Sequence, residues 1–539
     1  LTPIVNNPSG SAEVDKSMLY EDLGYAYPEN LDLRPSSDTH QNVIEWLNRR
    51  LYIADAKMSE RFDSWMEVDR TLQLYADIET KKNLRKIGVS DQRVEVIYPY
   101  SFAVLDTLLS YLTGSLLQPP IFRYAPTGPE DVAGAAMMEL VVDHFVRKNK
   151  LLLPLHTAIR DDLVYGFGAV SPIWNYGKDN YGCGIENINP YYILPDPNVP
   201  IHKIQEGEFV GWVKLSNRYN CLSRERDSEG AYFNARYLKA TTATASKYLL
   251  TRQSKEIINY ETNHLSPVCL VTVYAKIIPA ELGIGYSEYP EIWMFEIAND
   301  TIILSARPAN MGHDRFPIAV GADNIDGYSY APPSRIEALQ GLQTIVDWLI
   351  SSHITNVRCN IANRFIVDPK MVDVKAFNTG APVIKLTTHA QGRSPRDVVH
   401  QIQTHDVTQA HLAATEIFIQ AMQRISGVDS ATAGELRRSG PERLTGREAD
   451  TTHQGAMNRF NHINTMLSVM LIQEVAEQCA YNTKQLLNKD LWVEIPGRYR
   501  SLFKSDEAGG TRVPTDALNV DTDVKIDYEG RNGRYQTSD

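Results

Sequence analysis

Four arginines, Arg437, Arg438, Arg443 and Arg447, fall within "ELRRSGPERLTGRE", a stretch broken by Gly and Pro and interleaved with Glu435, Glu442 and Glu448. Guanidinium groups at this density suit phosphate, which they grip through paired N–H donors. The glutamates among them weaken the local field. An isolated loop of this kind reads as a solvated mixed-charge surface, and the phosphate reading gains weight only if the loop faces DNA. The whole chain carries a net charge of −12, so any contact with nucleic acid is local rather than drawn by bulk attraction.

No other residues converge on a reaction. "GFG" at 166–168 and "GIG" at 283–285 do not continue as GxGxxG into a helix, and no GxxxxGK[ST] occurs. They read as a helix-to-strand turn and a hairpin loop. His405 and His411 are six residues apart, His453 and His462 nine, and no HExxH or carboxylate cluster accompanies them. No G-x-S-x-G elbow is present. The acids of "PED" (129–131) and "RDD" (160–162) fit helix N-termini or polar faces, where the helix dipole explains them. The five cysteines, Cys183, Cys221, Cys269, Cys359 and Cys479, are far apart and odd in number. They argue against a disulfide scaffold and a structural zinc site, and fit a reducing compartment. The expectation is a protein that is not an enzyme and uses no metal or cofactor.

The elements that carry these residues alternate in character. The length, 539 residues, suggests two to four domains. Residues 1–40 read as an extended arm rich in Pro, Ser and Asn. From Gln41 to Ile78, Ile44, Leu47, Leu51, Ala54, Met58, Phe62 and Met66 recur at helical steps. "YSFAVLDTLLSYLTGSLL" is near membrane-spanning length, but Asp106 and Gly114 make it a buried or oligomer-facing helix. An Ala-rich helix follows, then a helix from about Leu153 to "VYGFG". Residues 169–320 hold strand-like runs bounded by Gly, Pro, Asn and Asp. At "SRIE", Ser334 and Glu337 form a capping box, and a helix is expected from there to about Asn363. "RFIVDP" and "APVIKLTT" read as a short β pair joined by a turn at Gly380, followed by a helix from Asp406 to Ile425 that Gly427 stops. Thr445 and Glu448 cap one long helix whose stripe is Phe460, Ile463, Leu467, Leu471, Val475 and Cys479. That stripe is expected to need a partner along its whole length.

In its order of segments the chain resembles the portal proteins of tailed bacteriophages, the head-to-tail connectors. "LLQPPIFRYAP", "DDLVYGFGAVSPIW", "INPYYILPDPNVP" and "DRFPIAVGADNIDGYSYAPPSRIEALQGLQTIVDWL" are similar to successive family landmarks. "ERLTGREADTTHQGAMNRF" is like the segment that opens the family's long helix, with Gly446 and Arg447 standing between Thr445 and Glu448.

The resemblance implies an α+β portal fold: an N-terminal arm (1–40), a wing (41–333), a first stem helix (334–365), a clip (366–403), a second stem helix (404–427), a tunnel loop (428–447), a long wing helix (448–488) and wing strands (489–539), with a crown absent or truncated. It implies a ring, dodecameric in the family, at one capsid vertex of the virion, assembled in the host cytoplasm, with no membrane partner. Double-stranded DNA would be packaged and ejected through its channel. Its other partners would be the large terminase subunit, the major capsid and scaffold proteins, and a tail or neck adaptor. Arg437, Arg438, Arg443 and Arg447 become tunnel-loop candidates for DNA contact, or for pairing with a neighbouring subunit's acids. Leu349, Ile354, Val357, Ile417 and Met422 become stem contacts between subunits, and Phe377, Val383 and Lys385 docking residues of the clip. The rival readings are another virion structural protein, such as a tail adaptor or internal core protein, and an enzyme with an α/β core.

Overall fold

The computed structural model describes residues 24–25, 27, 31–73, 96–177, 180–227, 232–238, 246–248, 252, 267–361, 365–367, 370–372, 394, 398–401, 408–428, 459–494, 510–518 and 522–524. In chain order these form α1 (Asp38–Leu72), α2 (Tyr100–Leu116), β1 (Tyr124–Pro126), α3 (Val132–Lys148), α4 (Leu152–Tyr165), β2 (Gly168–Asn175), β3 (Gly182–Ile188), β4 (Ile193–Pro195), β5 (Phe209–Asn217) and α5 (Arg218–Asp227). They continue with β6 (Pro267–Ile277), a single turn at Pro279–Leu282, β7 (Glu291–Ala298), β8 (Ile302–Pro308), β9 (Ala319–Gly321), α6 (Glu337–Ile361), β10 (Phe365–Val367), β11 (Val399–Gln401) and α7 (Thr408–Ser426). A helix α8 (459–486) and strands β12 (Leu491–Glu494), β13 (Gly510–Val513) and β14 (Thr522–Val524) complete the set. The chain mixes helix and strand, as an α+β protein does. It divides into two compact units: Leu1–Val68, Leu105–Ala338 and Ser430–Asp539 make one, Asp69–Val104 and Leu339–Asp429 the other.

The first unit is built on two antiparallel sheets, one ordered β3-β2-β9 and one ordered β4-β5-β6-β7-β8. The stripe read on α1 covers the larger sheet: Leu47, Leu51 and Ala54 pack with Val271, Val273, Phe295, Ile297 and Ile303. Further along, Asp55 accepts a 2.8 Å hydrogen bond from the buried guanidinium of Arg252, which also donates to the Tyr191 and Tyr248 carbonyls. The "GFG" turn behaves as its glycines require. Gly166 ends α4 in the left-handed region at φ 90°, which glycine adopts without strain. A Cβ on Gly168 would stand 1.9 Å from the Ala158 carbonyl oxygen, so only glycine lets β2 start against α4. "GIG" lies, as expected, in a hairpin loop, the one that joins antiparallel β6 and β7 beyond the Ile277–Glu291 pair. It follows the single turn at Pro279–Leu282, with Gly283 left-handed behind it.

The first five residues of β2 are buried in succession, which a strand achieves only when both its faces are covered. Helices α4 and α8 both pack against it. Helix α8 widens to π geometry over Ser468–Gln473, where it meets β9. There a Cβ on Gly321 would fall 2.9 Å from Leu467 and 3.0 Å from Leu471, so glycine permits the close approach. Phe460, Ile463, Leu467, Leu471, Val475 and Cys479 are all buried. This corrects one expectation: from Ser468 to Leu486 the long helix does not wait for a partner molecule, because strands β2, β3 and β9 and helix α3 of its own chain cover it, and at its described start Phe460 packs on Tyr111. Gln205 and Gln478 both donate to the carbonyls of Phe316 and Ile318, pinning the "DRFPIAV" segment from two sides. No helix among the described residues is long and apolar enough to cross a membrane.

Asp162, Asp323 and Arg335 form a buried acid pair with one cation. Asp162 accepts the Asp323 amide at 3.1 Å, and Arg335 donates to the Asp323 carboxylate. Burial, then the facing Asp323 carboxylate, push Asp162 well above the ordinary carboxylate range. Burial also raises Asp323, with Arg335 pulling it back. A folded-state value above the unfolded one means that the stabilisation is complete below about pH 4 and is lost as pH rises. Asp162→Asn keeps the acceptor and removes the titration. The variant should therefore gain in melting temperature relative to wild type between pH 5 and pH 8, and a gap that stays constant across that range would show that Asp162 does not titrate in the fold.

Candidate subunit interface

The second unit contains most of α6, all of α7, the β10–β11 pair and the segment leading into α2. The capping box at the start of α6 is formed: the Glu337 amide donates to Ser334 Oγ at 2.9 Å, and the Ser334 amide donates to Glu337 Oε2 at 3.2 Å. At the far end of α7, Gly427 turns left-handed at φ 74°, and its amide donates to the Gln423 carbonyl at 2.9 Å. Strand β10 lies within "RFIVDP" and pairs antiparallel with β11, residues 399–401. The partner expected from the sequence, "APVIKLTT", lies outside the described residues.

One edge of α6 is polar by design of its sequence. Gln343, Asp347 and Ser351 recur every four residues, so they line one side of the helix. Gln343 Oε1 accepts from the amide and hydroxyl of Ser101, and its Nε2 donates to the Tyr98 carbonyl and to Asp347 Oδ1. Asp347 accepts the Tyr98 amide at 2.8 Å, and Ser351 Oγ accepts the Val96 amide at 3.1 Å. Burial raises the Asp347 carboxyl above its usual range, against the pull of those hydrogen bonds. The ladder of hydrogen bonds holds the chain at 96–101 along α6.

The apolar residues of α6 and α7 do not keep to one side. On α6, Leu339, Val346 and Leu349 are buried, while Trp348 is 63% exposed and Ile345 is exposed with it. At 3.6 residues per turn, Trp348 stands about 160° around the helix from Val346. On α7, Thr415, Met422 and Ser426 form the buried side. Ile417, 65% exposed, stands about 140° from Met422, and Leu412 and Ile425 are exposed as well. Each helix thus has an inner face covered by its own chain and one large apolar residue, Trp348 or Ile417, exposed on the opposite side, while Ile345, Leu412 and Ile425 are exposed beside the buried residues.

The sequence-derived candidates fall unevenly on this pattern. Leu349 and Met422 are enclosed by their own chain, Ile354 and Val357 are half-buried, and Ile417 alone points outward. Trp348, Ile345, Leu412 and Ile425 were not among them. The signal that marks them is a bulky apolar residue standing off the main stripe, Trp348 above all. Arg437, Arg438, Arg443 and Arg447, and the clip candidates Phe377, Val383 and Lys385, lie outside the described residues. So do His405, His453 and the Thr445–Glu448 cap. Among the described residues no group of three or more His, Cys, Asp or Glu is placed to hold a metal ion.

No protein-family model matches the chain, and no curated protein matches its sequence. Gln343→Ala should leave the buried Ser101 amide and hydroxyl without their acceptor, at a cost of about 1–3 kcal/mol. Urea denaturation reads that loss directly, and an unchanged midpoint would mean that water replaces the amide.

Proposed function

We propose that this chain is the subunit of a bacteriophage-type portal, a ring that conducts double-stranded DNA and docks the packaging motor and then the tail or neck. The observation that carries the reading is the two-sided apolar character of α6 and α7, with Trp348 and Ile417 exposed opposite the buried faces. A helix in a ring of identical helices has a neighbour on each flank. A head-to-tail contact repeated about an axis covers such outer faces and leaves no free edge. Burying each of these side chains fully would contribute about 1.5–3 kcal/mol. The order of sequence landmarks, from "LLQPPIFRYAP" to "ERLTGREADTTHQGAMNRF", supports the same assignment.

The dimensions are workable. About twelve stem helices about 10 Å apart give a circumference near 120 Å. Removing helix thickness leaves a bore of roughly 27 Å, wider than a duplex. DNA must slide in such a channel, so tight phosphate binding would hinder it. An acidic chain with a few scattered arginines suits transient contact.

Native mass and negative-stain images test the assembly. The wild-type chain should form rings with a central hole, and Trp348→Glu with Ile417→Glu should give folded monomers of unchanged circular dichroism. A wild-type chain that stays monomeric at high concentration would end the portal reading. Rings that persist in the double variant would move the interface elsewhere. In a packaging assay, reversing Arg437 and Arg438 to Glu should reduce packaged DNA while rings still assemble. Normal packaging in that variant removes these arginines from DNA contact.

A further inference from the structure

Cys183 and Cys479 are 296 residues apart in the chain, yet their sulfurs lie 2.8 Å apart. Both side chains are fully buried and both thiols are free. Cys183 belongs to β3, where it is registered opposite Trp174 of β2. Its carbonyl accepts from Asn149 Nδ2 at 2.7 Å. Cys479 belongs to the second half of α8, where its carbonyl accepts the Thr483 hydroxyl at 2.7 Å. One turn earlier, the Tyr124 hydroxyl donates to the Ala476 carbonyl at 2.8 Å, holding the helix in place from another direction. Strand register and helix anchoring both bring the two sulfurs together, so their meeting is a property of the packed elements rather than of a loose side chain. A covalent S–S bond of about 2.05 Å needs only a small further approach.

We propose that Cys183 and Cys479 are a latent, reversible disulfide site that staples α8 to β3 when the chain meets a peroxide. The first thiolate attacks hydrogen peroxide, becoming a sulfenic acid as one oxygen leaves as water. The second sulfur displaces the sulfenic oxygen as a second water and closes the S–S bond. Two thiols and one peroxide give one disulfide and two waters, and the two electrons lost by sulfur reduce the peroxide. The S–H bond to Cys183, together with burial, raises the Cys479 thiol well above its ordinary value. The reactive thiolate is therefore scarce at neutral pH, and closure should be slow there and faster in alkali. Once made, the bond encloses most of the chain in a loop and restricts the unfolded state, so the oxidised form should melt higher.

The test uses the intact chain. Folded protein is treated with hydrogen peroxide at pH 7 and pH 9, then denatured and alkylated with iodoacetamide. Two of the five cysteines should escape alkylation. Protease digestion should yield one linked pair carrying Cys183 and Cys479, roughly 2 Da lighter than the sum of its reduced peptides. Dithiothreitol should restore five alkylated cysteines. Cys183→Ser and Cys479→Ser should each abolish the linked pair, and because the mapping is done on wild-type protein the result does not depend on either variant folding. Five alkylated cysteines after oxidation, a link between other cysteines, or a sulfinic acid on Cys479 without a link would overturn the proposal.

Discussion

A helix can hide only one side against a small body of its own chain, and α6 and α7 are apolar on two. That constraint governs the second unit. Its buried apolar side chains include Leu339, Val346, Leu349 and Met422, and the polar ladder runs from Gln343 to Ser351. Trp348, Ile417, Leu412 and Ile425 remain in contact with water. A single exposed Leu or Ile is ordinary on a protein surface, but a tryptophan opposite the buried residues of one helix and an isoleucine opposite those of the other form a pattern. Under the portal reading, a neighbouring subunit packed head-to-tail would cover it.

The first unit shows the opposite economy. Its helix α8 is covered, Arg252 is paired with Asp55, and the first half of β2 is enclosed on both faces. Arg252 is fully buried, and its guanidinium reaches Asp55 and two backbone carbonyls while lying over the rings of Phe62 and Tyr192. Removing one partner of such a pair leaves an uncompensated buried charge, which costs about 3–5 kcal/mol. The glutamine clamp on Phe316 and Ile318 works in the same spirit: two amides satisfy carbonyls that no sheet ladder reaches. Under the portal reading, the surfaces left for a neighbour would be those of α6 and α7 rather than the long helix α8.

What was legible in the sequence follows this division. Local signals were read well because their physics is local. Ser334 and Glu337 cap α6 as their spacing requires, Gly427 stops α7, and the glycines at 166 and 168 turn α4 into β2. The apolar stripe of α8 was legible too, residue by residue, but not what covers it. Periodicity reports that a face is apolar and is silent about whose atoms lie against it. That is why a partner molecule was expected where β2, β3, β9 and α3 stand. The pairing of β10 with residues 399–401 was not read from the sequence, because its register is one that no short motif encodes. The proximity of Cys183 and Cys479 is the extreme case, a contact created only when β3 and α8 pack.

The covering of α8 also changes what an assembled ring would have to do. If the long helix needed a neighbour, assembly and folding would be one event, and a subunit outside the ring would be unfolded. With α8 enclosed over Ser468–Leu486, the portal reading no longer needs a neighbour to cover it, and the energy of association would be concentrated on a few side chains of α6 and α7. Fully buried, Trp348 and Ile417 would each contribute about 1.5–3 kcal/mol, against an association cost of about 4–15 kcal/mol for lost translation and rotation. Those two residues alone therefore leave a pairwise contact weak. In a closed ring each subunit makes two such contacts, and the last subunit to enter gains both at once. Closure would thus be favoured over open chains under the portal reading, and that cooperativity is what would hold a wide channel open without a tightly bound partner inside it.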